Sequence, residues 1–118
     1  MKNASIKMNG KLLLAKGSVA DSFFPRLLGL MGRKTIANDE ALIFPRCNSI
    51  HTFFMRFAID VVMVDAKGEV VEVAQAMLPW RMQLPRWRAK HVVEMLAGRA
   101  HELGIVPGVK LDVEGVWG

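Results

Sequence analysis

Three polar residues stand inside otherwise apolar runs, and they mark where this chain could do chemistry. His51 opens the block His51-Thr52-Phe53-Phe54-Met55. Asp60 interrupts Phe57-Ala58-Ile59-Asp60-Val61-Val62-Met63, and Glu94 interrupts Val92-Val93-Glu94-Met95-Leu96. An imidazole titrates near neutrality, so His51 has the chemistry of a general base, a ligand or a pH-sensitive contact. The plainer reading is a packed histidine bonded to backbone. A buried carboxylate is costly unless it is paired or hydrogen-bonded. Asp60 and Glu94 therefore each need a partner: an arginine such as Arg26, Arg33 or Arg56 in a structural ion pair, or each other as acid and base. For glycoside-type chemistry the separation of two carboxylates decides the outcome, and the fold sets that separation.

Other chemistries find less material. The chain has three histidines, His51, His91 and His101, with no His-x-His or His-x-x-x-His spacing, and a single cysteine. No metal site and no cofactor is expected from such a set. Cys47 follows Pro45-Arg46, and a neighbouring arginine lowers a thiol pKa. Four residues of strand or loop, however, do not bring Cys47 to His51. A Gly-x-Ser-x-Gly elbow is absent. Gly29-Leu30-Met31-Gly32 lacks the Lys-Ser/Thr ending of a phosphate loop.

A second stretch suits binding more than catalysis. Residues 79 to 90 alternate tryptophan with base, placing Trp80, Arg81, Arg86, Trp87, Arg88 and Lys90 together with no acid among them. Stacked bases, a sugar ring or an anionic surface would each fit such a loop. The bland alternative has both tryptophans capping the core and the arginines solvated or paired with acids elsewhere.

The elements that must position these residues are mainly β. At 118 residues, 52% apolar and 23% charged, the chain has the material for one domain, residues 1 to 118, and no room for a second core. Asn9-Gly10 predicts a tight turn between strands within Ser5 to Lys16. Ala41-Leu42-Ile43-Phe44, Ile50 to Met55, Ile59 to Val64, Glu69 to Gln75, His91 to Leu96 and Val109 to Val113 read as further strands, with a hairpin over 59–75 turning at Asp65-Ala66-Lys67-Gly68. One helix is predicted near 22–32. Asp21 or Ser22 caps it, Pro25 lies in its first turn, and Phe23, Leu27 and Leu30 with Phe24, Leu28 and Met31 form its apolar face. Ala97 to Leu103 has room for one or two more helical turns. Together these predict a β-sandwich or partly open barrel with a short capping helix.

The charge balance, 16 bases against 11 acids or +5, gives weak, salt-sensitive attraction to anions and falls short of a dedicated nucleic-acid binder. No run approaches the ~20 apolar residues of a membrane span. The start, Met1-Lys2, leads into polar sequence and carries no signal-peptide core. The cytoplasm is the expected compartment, with export left open if the natural chain starts earlier.

The ordered blocks Arg26-Leu27-Leu28-Gly29-Leu30-Met31-Gly32-Arg33, Ala41 to Phe44, His51 to Met55, Ile59 to Asp65, Val70-Val71, Glu94 to Gly98, and Gly104-Ile105 with Gly108 resemble the domain of unknown function family numbered 192. The resemblance runs from about Leu13 to Val113. It implies a small β-sandwich or barrel-like domain, found in bacteria and archaea, with no established activity. Carried over position by position, its recurring residues fall on Arg26, Gly29, Met31, Arg33, His51, Met55, Asp60, Glu94 and Gly98. Many relatives carry tryptophan where this chain has Phe54, and a Lys-Asn-Thr-like segment where it reads Arg56-Phe57-Ala58.

The expected function is binding of a small molecule or a protein partner, at a polar cluster of Arg26, Arg33, His51, Asp60 and Glu94. Gly29, Met31, Met55 and Gly98 would serve the structure. A small acid/base hydrolase using His51 with Asp60 or Glu94 is the alternative. Weak anionic-surface or nucleic-acid binding through residues 80 to 90 is the second.

Overall fold

Strand signals dominate the chain, and strands dominate the fold. The computed structural model describes residues 2–20, 35–48, 50–51, 56–83 and 87–117, with Lys2, Ile50, His51 and Gln83 described by their backbone alone. The predicted helix at 22–32 lies outside these residues. In chain order the elements are β1 (Lys2–Met8), β2 (Lys11–Val19), β3 (Glu40–Phe44), β4 (Ile50–His51), β5 (Ile59–Val64), β6 (Val70–Met77), β7 (Met82–Gln83), β8 (His91–Leu96), α1 (Arg99–Glu102) and β9 (Leu111–Val113).

Seven strands form one sheet in the order β6-β5-β8-β3-β2-β1-β9, and β4 pairs with β7 in a separate ribbon. All neighbours in the large sheet are antiparallel except β2 and β3, whose parallel pairing requires the long crossover that the chain spends between them. Asn9 and Gly10 both take positive φ, 51° and 85°, as a type I′ turn demands, so β1 and β2 are joined without splaying. The hairpin over β5 and β6 turns where Asp65 accepts the Gly68 N–H at its carbonyl and the Lys67 N–H at its carboxylate.

The sheet curls until its two edges meet at one end. Glu69 bridges Lys110, the Val70 N–H donates to the Val109 carbonyl, and the Leu111 N–H donates to the Gly68 carbonyl. Beyond this the two edges do not pair with each other among the described residues, and Val113 instead bridges Trp117, leaving a partly open barrel. Its inside is one apolar core, with Ile6, Leu14, Val19, Ile43, Val62, Val93, Met95, Leu111 and Val113 meeting there. A second core covers the outside of β3, β5 and β8, where Leu42, Phe44, Ile59, Val61, Met63 and Val92 pack with Ala20, Ile36 and Ala89. Burial on both faces explains why β5, Asp60 apart, reads as a continuous apolar run and not as an alternating one. Among the described residues no helix is long and apolar enough to cross a membrane.

Candidate functional site

Asp60 is fully buried, and its carboxylate belongs to the backbone. It sits opposite a β-bulge: between the pairs Ile59–Met77 and Val61–Ala74, the single residue Asp60 faces both Gln75 and Ala76. Ala76 is pushed to φ 50°, and its N–H donates to Asp60 Oδ1 at 2.8 Å. The other oxygen, Oδ2, accepts the Ala100 N–H at 2.9 Å. Ala100 lies in the first turn of α1, whose N-cap, Gly98, offers no side chain to the free amides there. Asp60 thus supplies from a strand the cap that the helix lacks, and its negative charge suits a helix N-terminus. Gly98, at φ 89°, takes the positive φ that leads into this turn.

Glu94 has the opposite orientation and environment. It pairs with Leu42 on β3 and Val61 on β5, both members of the outer core, whereas Asp60 pairs with Met95 of the inner core. Paired residues project to the same face of a sheet. The sheet therefore stands between the two carboxyls, and an acid/base pair of Asp60 with Glu94 is excluded by geometry. Burial alone pushes the Glu94 carboxyl up to about 8, so it is largely protonated at neutral pH.

The ribbon joins the two stretches that stand out in the sequence. Ile50 pairs with Gln83 and His51 with Met82, which places the backbone of the histidine block beside the tryptophan-arginine loop. Phe57, Cys47, Met77 and Ala89, in the segments that lead toward and away from this ribbon, pack into the outer core, the face that also holds Glu94. The loop's tryptophans do not cap the core. Trp87 is 87% exposed and Trp80 56%, with Leu78 and Met82 also exposed. The arginines divide. Arg88 lies 3.9 Å from Asp65 and 3.7 Å from Glu69, while Arg81 is exposed, with its guanidinium 3.5 Å from the Pro79 and Trp80 carbonyls.

Arg26, Gly29, Met31, Arg33, Met55 and Arg86 lie outside the described residues, as does the His51 side chain. Among the described residues, no group of three His, Cys, Asp or Glu side chains gathers as a metal ion would require. Reasoning from sequence passed over His91, which is buried at the start of β8 and hydrogen-bonded to the Arg46 backbone. The signal was there to be read: two short basic approaches, Pro45-Arg46 and Arg88-Ala89-Lys90, each flank an apolar strand at the same end.

The family described as "Uncharacterized ACR" matches residues 4–113. A "UPF0127 protein" of Thermococcus sibiricus is 37% identical over 112 residues, covering 92% of this chain and 72% of its own. Its counterpart in Pyrococcus furiosus is 38% identical over 109 residues, covering 87% and 90%. Among solved structures, a Novosphingobium aromaticivorans protein of unknown function superposes with a TM-score of 0.78 at 22% identity, over 93% of this chain and 83% of that one. A Sinorhizobium meliloti protein whose given name suggests a transcription regulator superposes with a TM-score of 0.85 at 21% identity, over 97% and 95%. At those identities the likeness is one of fold.

Proposed function

The chain belongs to domain of unknown function family 192, whose relatives carry no assigned activity, and from that premise we propose that it is a binding domain for an acidic protein segment. The observation that carries this reading is the run of exposed large apolar side chains, Leu78, Trp80, Met82 and Trp87, within one short loop beside the ribbon. Exposed apolar surface rimmed by polar groups favours association, and tryptophan with arginine is the usual anchor pair. Charge complementarity selects the partner: the stretch from 79 to 90 holds four bases and no acid, on a chain of net charge +5. Arg26, Arg33 and His51 are proposed as further polar contacts of the partner, whereas Glu94 is buried in the outer core. Asp60 has no part in it, since backbone amides occupy both its oxygens.

The test is an amide-resolved NMR titration with an acidic, aromatic-containing peptide, run beside a single-stranded oligonucleotide of equal charge. Binding of the peptide should shift the amides of Ile50, His51, Trp80 to Gln83 and Trp87, and the double variant W80A/W87A should lose the effect. Shifts mapping elsewhere, or preference for the oligonucleotide, would overturn the reading.

A second reading rests on Glu94. A carboxyl held protonated at neutral pH by burial is suited to donate a proton, as a general acid does. In a small hydrolase it would act with His51. Turnover of nitrophenyl ester or glycoside substrates that is abolished by E94Q would favour this reading over binding alone.

A further inference from the structure

A cavity of about 630 Å³ opens at the end of the barrel where β3 and β5 finish and β8 begins. Arg46, Asn48, Lys90 and His91 line it, with Ala66 and Ala89 supplying apolar wall. We propose that this cavity is a binding site for a small oxyanion-bearing ligand, one that presents a carboxylate or phosphate group.

The site is held by structure that fixes its groups in advance. The His91 ring lies flat on the Trp117 indole, with centroids 4.3 Å apart and planes 5° from parallel. Its Nδ1 accepts the Arg46 N–H at 3.0 Å. An Nδ1 that accepts this bond leaves the proton of the neutral ring on Nε2. Burial, and then the positive charge of Arg46, lower the His91 pKa, which keeps the ring neutral and in that tautomer. No described residue takes the Nε2–H, which is the donor an oxyanion needs.

The cations are held by their backbones on either side. Arg46 adopts φ 54°, a conformation that non-glycine residues seldom take. It is held there by its bond to His91 and by the next amide, Cys47, which donates to the Lys90 carbonyl at 2.8 Å. The Lys90 N–H in turn donates to the Val64 carbonyl at 2.7 Å. Strain of this kind persists where the surroundings over-determine it, and it collects at ligand sites.

Electrostatics supply the class of ligand. Neither Arg46 nor Lys90 forms an ion pair among the described residues. Asp65, the acid whose charge reaches His91, is occupied by Arg88 and by the Lys67 and Glu69 amides. Among the described residues the cavity is left with two uncompensated positive charges, a neutral imidazole donor and the Asn48 amide. A carboxylate or phosphate satisfies all of these, and a cation none. This site does not depend on the aromatic surface of the ribbon, and it stands or falls separately.

The experiment is a titration of the whole chain with sodium phosphate and with sodium acetate, against sodium chloride at matched ionic strength, following the His91 ring protons and the Arg46 and Lys90 amides. One or both oxyanions should give saturable shifts that chloride does not, and the stronger of the two identifies the preferred group. R46Q/K90Q should weaken that binding at least 10-fold, while K11Q, which removes a charge from the β1–β2 turn and not from the cavity lining, should not. The ring-current shift of His91 over Trp117 reports that the double variant remains folded. Shifts that stay linear, that chloride reproduces, or that persist undiminished in R46Q/K90Q would overturn the proposal.

Discussion

Glu94 and Asp60 look alike in the sequence, each a carboxyl in an apolar run, and the structure gives them different surroundings. Asp60 is stabilised as an acceptor by two backbone N–H groups, whereas burial raises Glu94 to about 8. That difference makes Glu94 a determinant of stability against pH. An unfolded glutamate releases its proton near 4.5, so between there and about 8 the unfolded chain binds fewer protons than the folded one. Stability is greatest below the unfolded value and falls as pH rises through this window, by about 1.4 kcal/mol per unit at the steepest. E94Q, which keeps the shape and removes the titration, should match the wild type at pH 4 and exceed it by a few kcal/mol, to order of magnitude, at pH 8. Urea denaturation across that range checks this, and parallel pH dependences of the two proteins would refute it. The sequence marked both carboxyls but could not separate them. Which face each occupies depends on the register of β5 against β8, a relation between residues 27 to 37 apart in the chain.

Local pattern served the strands and α1 better than it served the ribbon. The β5–β6 hairpin, β3 and β8 follow from continuous apolar runs bounded by turn residues, and Asn9-Gly10 set the first hairpin correctly. β4 lies at the start of the strand expected over Ile50 to Met55, but β7 carries no such signal: it is two residues long and exists through pairing with β4. The bulge at Gln75-Ala76 was equally hidden, because an alanine at positive φ has no sequence mark. Ala97 to Leu103 reads as α1, but nothing in it shows what anchors the helix. Four residues are too few to hold a helix alone, and its N-cap is a glycine without a side chain to offer. Its anchor is Asp60, forty residues earlier, and the consequence is testable. D60N keeps the volume but turns one of the two acceptors into a donor facing a backbone N–H. A buried donor left unsatisfied costs about 1–3 kcal/mol. Hydrogen exchange should accelerate at Ala76 or Ala100, and with the latter at Leu103, ahead of the barrel strands. Uniform acceleration across the sheet would show instead that Asp60 supports the whole barrel and not the helix and bulge.

Closure of the barrel rests on one tightly packed turn. The two sheet edges meet where Gly68 passes beneath β9. A Cβ there would collide with the Leu111 carbonyl oxygen and lie 2.8 Å from the Trp117 indole nitrogen, which itself donates to that same carbonyl at 2.8 Å. Gly68 also takes φ 95°, so a side chain would meet two penalties, conformational and steric. Gly10 separates them: its φ of 85° is similar, yet a Cβ there meets nothing within 4 Å. G10A should therefore cost only the backbone term, about 1–2 kcal/mol. G68A should add the cost of displacing packed backbone and indole, about 1–3 kcal/mol more. Because the displaced groups join the first and last strands of the sheet to its opposite edge, the excess loss belongs to the global unfolding transition. It should appear as a lower denaturation midpoint for G68A than for G10A. It should also bring a changed His91 environment, since Trp117 is at once the indole that packs on Gly68 and the platform on which His91 stacks. Equal midpoints for the two variants would mean that the edges open without loss, and that the barrel is held by its inner core alone.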